Sequence, residues 1–156
     1  MLTQEFWDAR YRSAESIWSG NPNPHLVAHV ADLAPGSALD VGSGEGADAI
    51  WLATRGWQVT GIDLSTVALE RAAQLASRAG QDIAERITWE QADALSWDPA
   101  PRQFDLVSAQ FMHLPRLARE ALHRRLAAAP ERQALDPEGR AVTIRDAVLC
   151  AVRRER

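Results

Sequence analysis

The feature that most constrains this chain is a glycine-rich turn between a short apolar run and a helical segment. The apolar run is ALDV, residues 38–41, and the next five positions hold Gly42, Gly44 and Gly46. Glycine adopts left-handed backbone conformations readily and lets a ligand approach without an intervening Cβ atom. At the end of a buried strand, such a turn predicts a ligand-binding loop whose following helix presents its amino end to a polar group.

Predicted strands and helices alternate along the chain around this turn. The predicted strands are residues 38–41, 57–63, 86–93 and 104–111. The predicted helices are residues 5–17, 24–34, 46–55 and 65–79, and a further helix that begins at Pro115. Strands separated by helices of this length are typical of a parallel sheet with right-handed crossovers. We therefore predict an α/β fold with a Rossmann-like, doubly wound and mostly parallel sheet.

The composition is that of a folded globular protein and excludes several functional classes. The chain has 156 residues, of which 46% are hydrophobic and 24% charged, and its net charge is −4. This charge argues against general nucleic-acid binding, and the absence of a long apolar stretch argues against a membrane partner. A single cysteine and a polar N-terminus predict a cytoplasmic location.

Carboxylates at the ends of the predicted strands distinguish between two ligand classes. Gly42, Gly44 and Ala47 satisfy the G-x-G-x-x-G/A pattern of dinucleotide binding, so the glycines alone also suit NAD. Asp40 would repel a pyrophosphate, whereas a ligand carrying a sulfonium and an amino group would be attracted by it. Asp63 and Asp93, which follow the second and third strands, extend the row of acceptors. This row favours S-adenosylmethionine over NAD.

Four motifs in order resemble class I S-adenosylmethionine-dependent methyltransferases. LDVGSGEG resembles their first motif, VTGIDLS the second, QADAL the adenine-contacting stretch and FDLVSAQFMHLP the strand-four motif. The leading segment FWDARYRSAESIWSGNPNPHLV is similar to that of small bacterial methyltransferases related to the tellurite-resistance and thiopurine enzymes. The resemblance implies an enzyme that transfers a methyl group from S-adenosylmethionine to a small-molecule acceptor by in-line displacement, leaving S-adenosylhomocysteine.

The resemblance also implies roles for individual residues. It places Asp40 near the methionine end of the cofactor, Asp63 on the ribose, and Asp93 with Ala94 at the adenine. The full set of predicted cofactor-binding residues is Asp40, Gly42, Ser43, Gly44, Gly46, Asp63, Leu64, Asp93, Ala94, Leu95 and Gln110. His113 is the candidate general base, or else it packs in the loop before Pro115. Trp7, Tyr11 and Trp18 are candidate substrate contacts, or else the core stripe of a lid helix.

The carboxyl-terminal part departs from the family. We predict one domain, residues 1–156, made of a helical lid (1–34), a cofactor-binding core (36–129) and a remnant (130–156). The core is followed directly by a segment like the family's last loop and antiparallel strand, so the fold is expected to be truncated, without strands five and six. We expect residues 142–152 to form that strand, with a helix as the alternative, and to pair beside strand four or in a second subunit.

This departure affects the expected activity and assembly. An exposed strand-four edge favours a homodimer. Loss of part of the sheet leaves open a protein that binds S-adenosylmethionine or S-adenosylhomocysteine with little transferase activity. His25 and His29 are four residues apart, but no further ligands cluster near them, so no metal site is predicted. Glu45, inside the glycine turn, is expected either to touch the ligand or to cap the helix.

Overall fold

The computed structural model describes residues 3–99, 102, 104–110, 113–127, 132–135, 141–144 and 147–151. The helices are α1 (Gln4–Arg12), α2 (Pro24–Val30), α3 (Ala47–Thr54), α4 (Thr66–Ala79), α5 (Gln81–Ala84) and α6 (Arg116–Ala127). The strands are β1 (Ser37–Val41), β2 (Gln58–Asp63), β3 (Ile87–Gln91), β4 (Leu106–Gln110), β5 (Arg132–Leu135), β6 (Ala141–Ile144) and β7 (Ala147–Ala151). In this part of the chain, no helix is both long enough and apolar enough to cross a bilayer.

The main sheet has the strand order β3-β2-β1-β4-β7, and every neighbouring pair is parallel. The predicted α/β, Rossmann-like fold is therefore confirmed. The chain runs outward from β1 to β3 and then crosses back to β4 on the other side of β1. Ligands of such sheets bind at the carboxyl ends of the strands where the order reverses, which here is between β1 and β4.

Alternate residues of β1 pack into two different apolar clusters. Ala38 faces the cluster formed with α2 and α3, whereas Leu39 and Val41 face the cluster on the α6 side. Successive side chains of a strand point to opposite faces, so Asp40 shares the face of Ala38. The carboxylate at the end of β1 is thereby directed toward the first turn of α3.

Several helix ends lie where the sequence predicts them. Ser65 caps α4, since its hydroxyl accepts a hydrogen bond from the Ala68 amide at 3.2 Å. Gly56 follows α3 with a φ of +92°, the left-handed conformation expected after a helix. Helix α1 ends at Arg12 rather than at residue 17, because the amides of Ile17 and Trp18 donate to a side chain outside the helix.

The carboxyl-terminal strands correct two expectations. Residues 142–151 hold parts of two strands: β6 forms an antiparallel hairpin with β5, and β7 pairs with β4. Strand β7 is parallel to β4, not antiparallel, because the connection contains α6 and the hairpin and can return the chain to the same end of the sheet. The edge of β4 is thus covered by β7, and a homodimer through this edge or through the carboxyl-terminal strand stays a prediction. Residue 152 and the side chains of β5 to β7, including Cys150, lie outside the description.

Candidate active site

The glycine turn forms a tight loop between β1 and α3. Gly42, Gly44 and Gly46 have φ angles of +72°, +54° and +85°, which L-residues with a Cβ atom rarely adopt. A Cβ on Gly46 would lie 2.7 Å from Cη2 of Trp89 and 2.9 Å from Cβ of Ala72. The loop is therefore fixed both by its backbone conformation and by close packing beneath it.

Asp40 is buried beside this loop with only 2% of its surface exposed. Its Oδ2 atom has no hydrogen-bond partner among the described residues. Burial raises the pKa of Asp40 well above its usual range, and the nearby charges of Asp48 and Asp63 raise it further. A buried carboxylate oxygen without a partner is costly, so this position is suited to a cationic or hydrogen-bond-donating ligand, although the Ala49 amide also bonds to the carboxylate.

Asp63 connects the end of β2 to the glycine loop. Its Oδ2 accepts a hydrogen bond from the Gly44 amide at 2.8 Å, and its Oδ1 accepts one from the Ser65 amide at 2.9 Å. Burial raises the pKa of Asp63 despite these bonds. Leu64, the next residue, uses its carbonyl to accept from Gln91 Nε2 at 3.3 Å.

Asp48 is a half-buried carboxylate near Asp40 that is not among the residues predicted from the sequence. Its Oδ1 accepts a hydrogen bond from the Asn23 amide at 2.6 Å, which joins the start of α3 to the start of α2. Burial also raises the pKa of Asp48. Among the described residues, Asn23 Nδ2 is another buried polar atom without a partner. The signal that could have identified Asp48 is its position in the first turn of the helix after the glycines.

Gln110 lies on the same face of the sheet as Asp40. The register of β1 and β4 places Asp40 beside Ser108, and Gln110 is two residues further along β4. Gln110 Nε2 donates to the Ser108 hydroxyl at 3.2 Å, while its buried Oε1 finds no partner in the part of the chain that is described. The Ser43 hydroxyl is also unpartnered there, but it lies 3.2 Å from the position of a Cβ on Gly61, against β2.

Asp93, Ala94 and Leu95 form an exposed or half-buried turn after β3. Asp93 Oδ1 accepts from the Leu95 amide at 2.9 Å, and the Leu95 carbonyl accepts from Arg125 Nη1 at 2.5 Å. Arg125 also donates to the Ala94 carbonyl. The turn that is predicted to contact the adenine is therefore bonded to α6. Asp93 in this turn is exposed, whereas Asp40 is buried and Asp63 is half-buried.

The N-terminal segment, residues 3–23, lies over the glycine loop. A Cβ on Gly44 would lie 3.0 Å from the Tyr11 hydroxyl and 3.6 Å from Trp18 Nε1. Trp18 Nε1 donates to the Tyr11 hydroxyl at 3.1 Å. Burial raises the pKa of Tyr11 to about 12. Tyr11 is thus packed on the loop and is not among the residues that line the aromatic pocket described below, and its role as a substrate contact stays a prediction.

Two carboxylates attach the N-terminal segment to the core. Asp8 accepts from the Ser65 hydroxyl at 2.5 Å and from the Val67 amide at 3.3 Å, at the first turn of α4. Glu45 Oε2 accepts from the amides of Ile17 and Trp18 at 3.1 and 3.3 Å. Sequence reasoning missed Asp8 and left Glu45 undecided, because both act over long sequence separations.

An aromatic pocket of about 210 Å³ lies between α1, the segment that follows it and the loop after β4. The described residues that line it are Phe6, Trp7, Arg10, Trp18 and His113. The ring centroids of His113 lie 5.5 Å from Trp7 and 6.1 Å from Trp18. The structure therefore brings the candidate base together with two of the three candidate substrate residues, and their roles remain predictions.

Comparison with known proteins identifies the family. A family model described as a methyltransferase domain matches residues 38–139, which include the glycine loop and the three carboxylates. The chain is a member of this methyltransferase family.

Relatives with known structures or names share the same core with this methyltransferase. A probable thiol methyltransferase 2 of Arabidopsis thaliana is 30% identical over 105 residues, which are 65% of this chain and 45% of the relative. A structure from work on the conversion of a disulfide bond into a thioacetal group during echinomycin biosynthesis is 33% identical with a TM-score of 0.68, covering 84% of this chain and 56% of the other. The chain thus spans about half the length of these relatives.

One neighbour carries a bound reaction product. The magnesium protoporphyrin IX methyltransferase of Synechocystis PCC 6803 with bound S-adenosylhomocysteine is 27% identical to this methyltransferase, with a TM-score of 0.57. The match covers 69% of this chain and 49% of the other.

Within the described residues, no three His, Cys, Asp or Glu side chains are grouped to hold a metal ion.

Proposed function

We propose that this chain binds S-adenosylmethionine at the carboxyl ends of β1, β2 and β3 and transfers its methyl group to a small-molecule acceptor. The observation that carries this proposal is the buried Asp40, whose Oδ2 lacks a partner among the described residues. It stands beside a glycine loop in left-handed conformation and close to the half-buried carboxylates Asp48 and Asp63. Carboxylate hydrogen-bond acceptors clustered around a narrow backbone turn fit a ligand that is cationic at one end and rich in hydroxyl groups.

The charge of the cleft argues for this ligand and against a dinucleotide. The pKa of Asp40, Asp48 and Asp63 is raised by burial in each case, so another anion would add to an existing electrostatic cost. A sulfonium and an α-ammonium group would relieve that cost. Membership in the methyltransferase family supports the same choice, as does the product bound to the Synechocystis relative.

In this proposal the residues of the chain bind and orient the cofactor and the acceptor, and do little covalent chemistry themselves. When bound, S-adenosylmethionine supplies a methyl carbon that bonds to the acceptor as its bond to sulfur breaks, with the electron pair remaining on sulfur. Asp40 would hold the methionine end, and Asp63 the ribose. Alignment of the two reactants supplies roughly 7–11 kcal/mol of barrier lowering in favourable cases. His113, at the pocket, would accept a proton from acceptors that arrive protonated.

The aromatic pocket supports a small molecule as acceptor. About 210 Å³ equals roughly seven water volumes. That space suits a compact organic group rather than a folded macromolecule. The relative named as a probable thiol methyltransferase agrees with a small acceptor.

Calorimetric titration of the full chain tests the proposal. We expect S-adenosylmethionine and S-adenosylhomocysteine to bind with one-to-one stoichiometry and NAD⁺ to give no heat of binding. Binding of NAD⁺ alone would overturn the assignment of the cleft.

A second candidate function is binding of the cofactor without transfer. The chain spans about half the length of the relatives that it matches, so transfer itself is part of the proposal. Incubation with radiolabelled S-adenosylmethionine and a panel of thiols, phenols, amines and oxyanions separates the two functions. Tight binding without product on any acceptor would favour the second.

A further inference from the structure

The aromatic pocket has a composition unlike that of the cleft that holds the carboxylates. Large apolar side chains are exposed at its rim, with Phe6 at 47% and Trp18 at 42% exposure. Exposed aromatic groups around a concavity are typical of ligand sites, because covering them with an apolar ligand is favourable. The pocket is therefore suited to a ligand with apolar surface of its own.

The ring geometry favours a flat ligand. The planes of Trp18 and His113 are within 14° of parallel, and that of Trp7 is tilted by 43° to His113. Aromatic side chains attract other rings most strongly in offset-stacked and edge-to-face arrangements. A planar aromatic ring can stack face to face on the nearly parallel rings of Trp18 and His113 and meet the ring of Trp7 at an angle. A saturated ring of the same size cannot do this as well.

The charge of the pocket is positive. Arg10 is exposed, lines the pocket and forms no ion pair with any described residue. None of the described lining residues is acidic. The carboxylates Asp8 and Glu45 accept hydrogen bonds from backbone and hydroxyl groups elsewhere. A guanidinium in this setting is available for an anion, to which it can donate two parallel hydrogen bonds.

We propose that the methyl acceptor is a planar aromatic anion, with Arg10 as the residue that selects for its charge. This inference rests on the proposed function. An acceptor that binds in ionised form brings its own lone pair to the methyl carbon, so no proton has to leave during transfer. The sulfonium and the anion then neutralise each other, which gives a neutral methylated product and a neutral thioether.

Three non-reacting probes of similar size separate the contribution of the aromatic ring from that of the negative charge. Benzoate is aromatic and anionic, cyclohexanecarboxylate is anionic without an aromatic ring, and benzamide is aromatic without a charge. Each is titrated into the full chain with and without saturating S-adenosylhomocysteine, with protein-observed NMR shifts as the readout. We expect benzoate to bind about tenfold more tightly than either of the others, equivalent to one charge-assisted hydrogen bond or one aromatic stack.

Variants of α1 test the role of Arg10. We expect Arg10→Gln to remove the preference for benzoate over benzamide while leaving benzamide binding unchanged, and Arg10→Lys to keep part of it. Arg12→Gln is the matched control, because Arg12 is exposed on the same helix and is not among the lining residues. Equal binding of the three probes, or equal effects of the Arg10 and Arg12 variants, would overturn the inference.

The failure of this inference is distinguishable from failure of the proposed function. The pocket is formed by described residues without a ligand, so the probes report on it even when S-adenosylhomocysteine is absent. Loss of S-adenosylhomocysteine binding in the unmodified chain contradicts the proposed function. Loss of probe selectivity alone contradicts only the aromatic anion.

Discussion

The two sides of the cleft differ in charge, burial and manner of attachment. On the sheet side, Asp40 is buried at the end of β1, while Asp63 at the end of β2 and Asp48 at the start of α3 are half-buried. On the side of the N-terminal segment, exposed aromatic rings surround Arg10. The difference teaches that the two proposed ligand contacts have opposite character: the sheet side offers carboxylates, whereas the other side offers exposed rings and a guanidinium.

The N-terminal segment is held to the core largely by hydrogen bonds to carboxylates. Asp8 and Glu45 together accept bonds from residues of two different elements, and Arg71 pairs with Glu45 at 3.0 Å. Hydrogen bonds of this kind contribute about 1.5–3 kcal/mol each at most. The segment is therefore expected to open more readily than the sheet, and the following variants probe each side.

The strongest expected effect is on the sheet side, at Gly46. Gly46→Ala forces a left-handed backbone on an L-residue and brings its Cβ to 2.7 Å from Trp89, so we expect a loss of roughly 2–4 kcal/mol in the free energy of unfolding. Gly20→Ala is the matched control: its φ is +73°, but nothing lies within 4 Å of the added atom. We expect it to cost roughly 1 kcal/mol. Urea denaturation measures both, and equal losses would contradict the role assigned to packing beneath the loop.

The next effect is on cofactor affinity, through Asp40. Asp40→Asn removes the charge opposite the proposed cation, and we expect S-adenosylmethionine to bind about 10- to 100-fold more weakly. Asp32→Asn, at an exposed position, is the control and should leave the affinity unchanged. Calorimetry measures both. An unaltered affinity of the Asp40 variant would show that the sheet side does not recognise positive charge.

Although we expect Asp40→Asn to weaken cofactor binding, we expect it to stabilise the folded protein in the absence of ligand. Because the folded-state pKa of Asp40 lies above its unfolded value of about 3.9, the folded protein binds more protons between those two values. This contribution to stability is present below pH 4 and is lost as pH rises through the folded-state pKa. We therefore expect Asp40→Asn to be more stable than the unmodified chain at pH 7, with the difference shrinking toward pH 4. Thermal melts across this range check the sign.

A smaller and more local effect is expected on the side of the N-terminal segment. Glu45→Gln keeps the size of the side chain but removes the charge from its hydrogen bonds to Ile17 and Trp18. We expect hydrogen exchange of these two amides to accelerate about tenfold, with the amides of β1 unchanged. Glu70→Gln, exposed on α4, is the control. Uniform acceleration across the sheet would mean that both sides open together.

The sequence allows the central fold and the conformation of the glycine loop to be predicted because their signals are local, whereas the roles of the site residues stay predictions. The glycine loop, the Ser65 cap and the strand ends are set by neighbouring residues, and family membership confirms the predicted fold. The attachment of the N-terminal segment could not be predicted, since Glu45 and Trp18 are 27 residues apart and Asp8 and Ser65 are 57 apart. The direction of β7 was also missed, because the parallel pairing depends on the path of the whole connection from β4.

The indole of Trp89 has a consequence for how this chain can vary. It lies against two glycines at once, 2.6 Å from a Cβ on Gly61 as well as 2.7 Å from one on Gly46. A smaller residue at position 89 would make room for a Cβ atom at both glycines. Gly46, however, has a positive φ, whereas Gly61 is not among the glycines with a positive φ. In homologues, position 61 should therefore covary in size with position 89, while position 46 should remain glycine whatever residue the third strand carries.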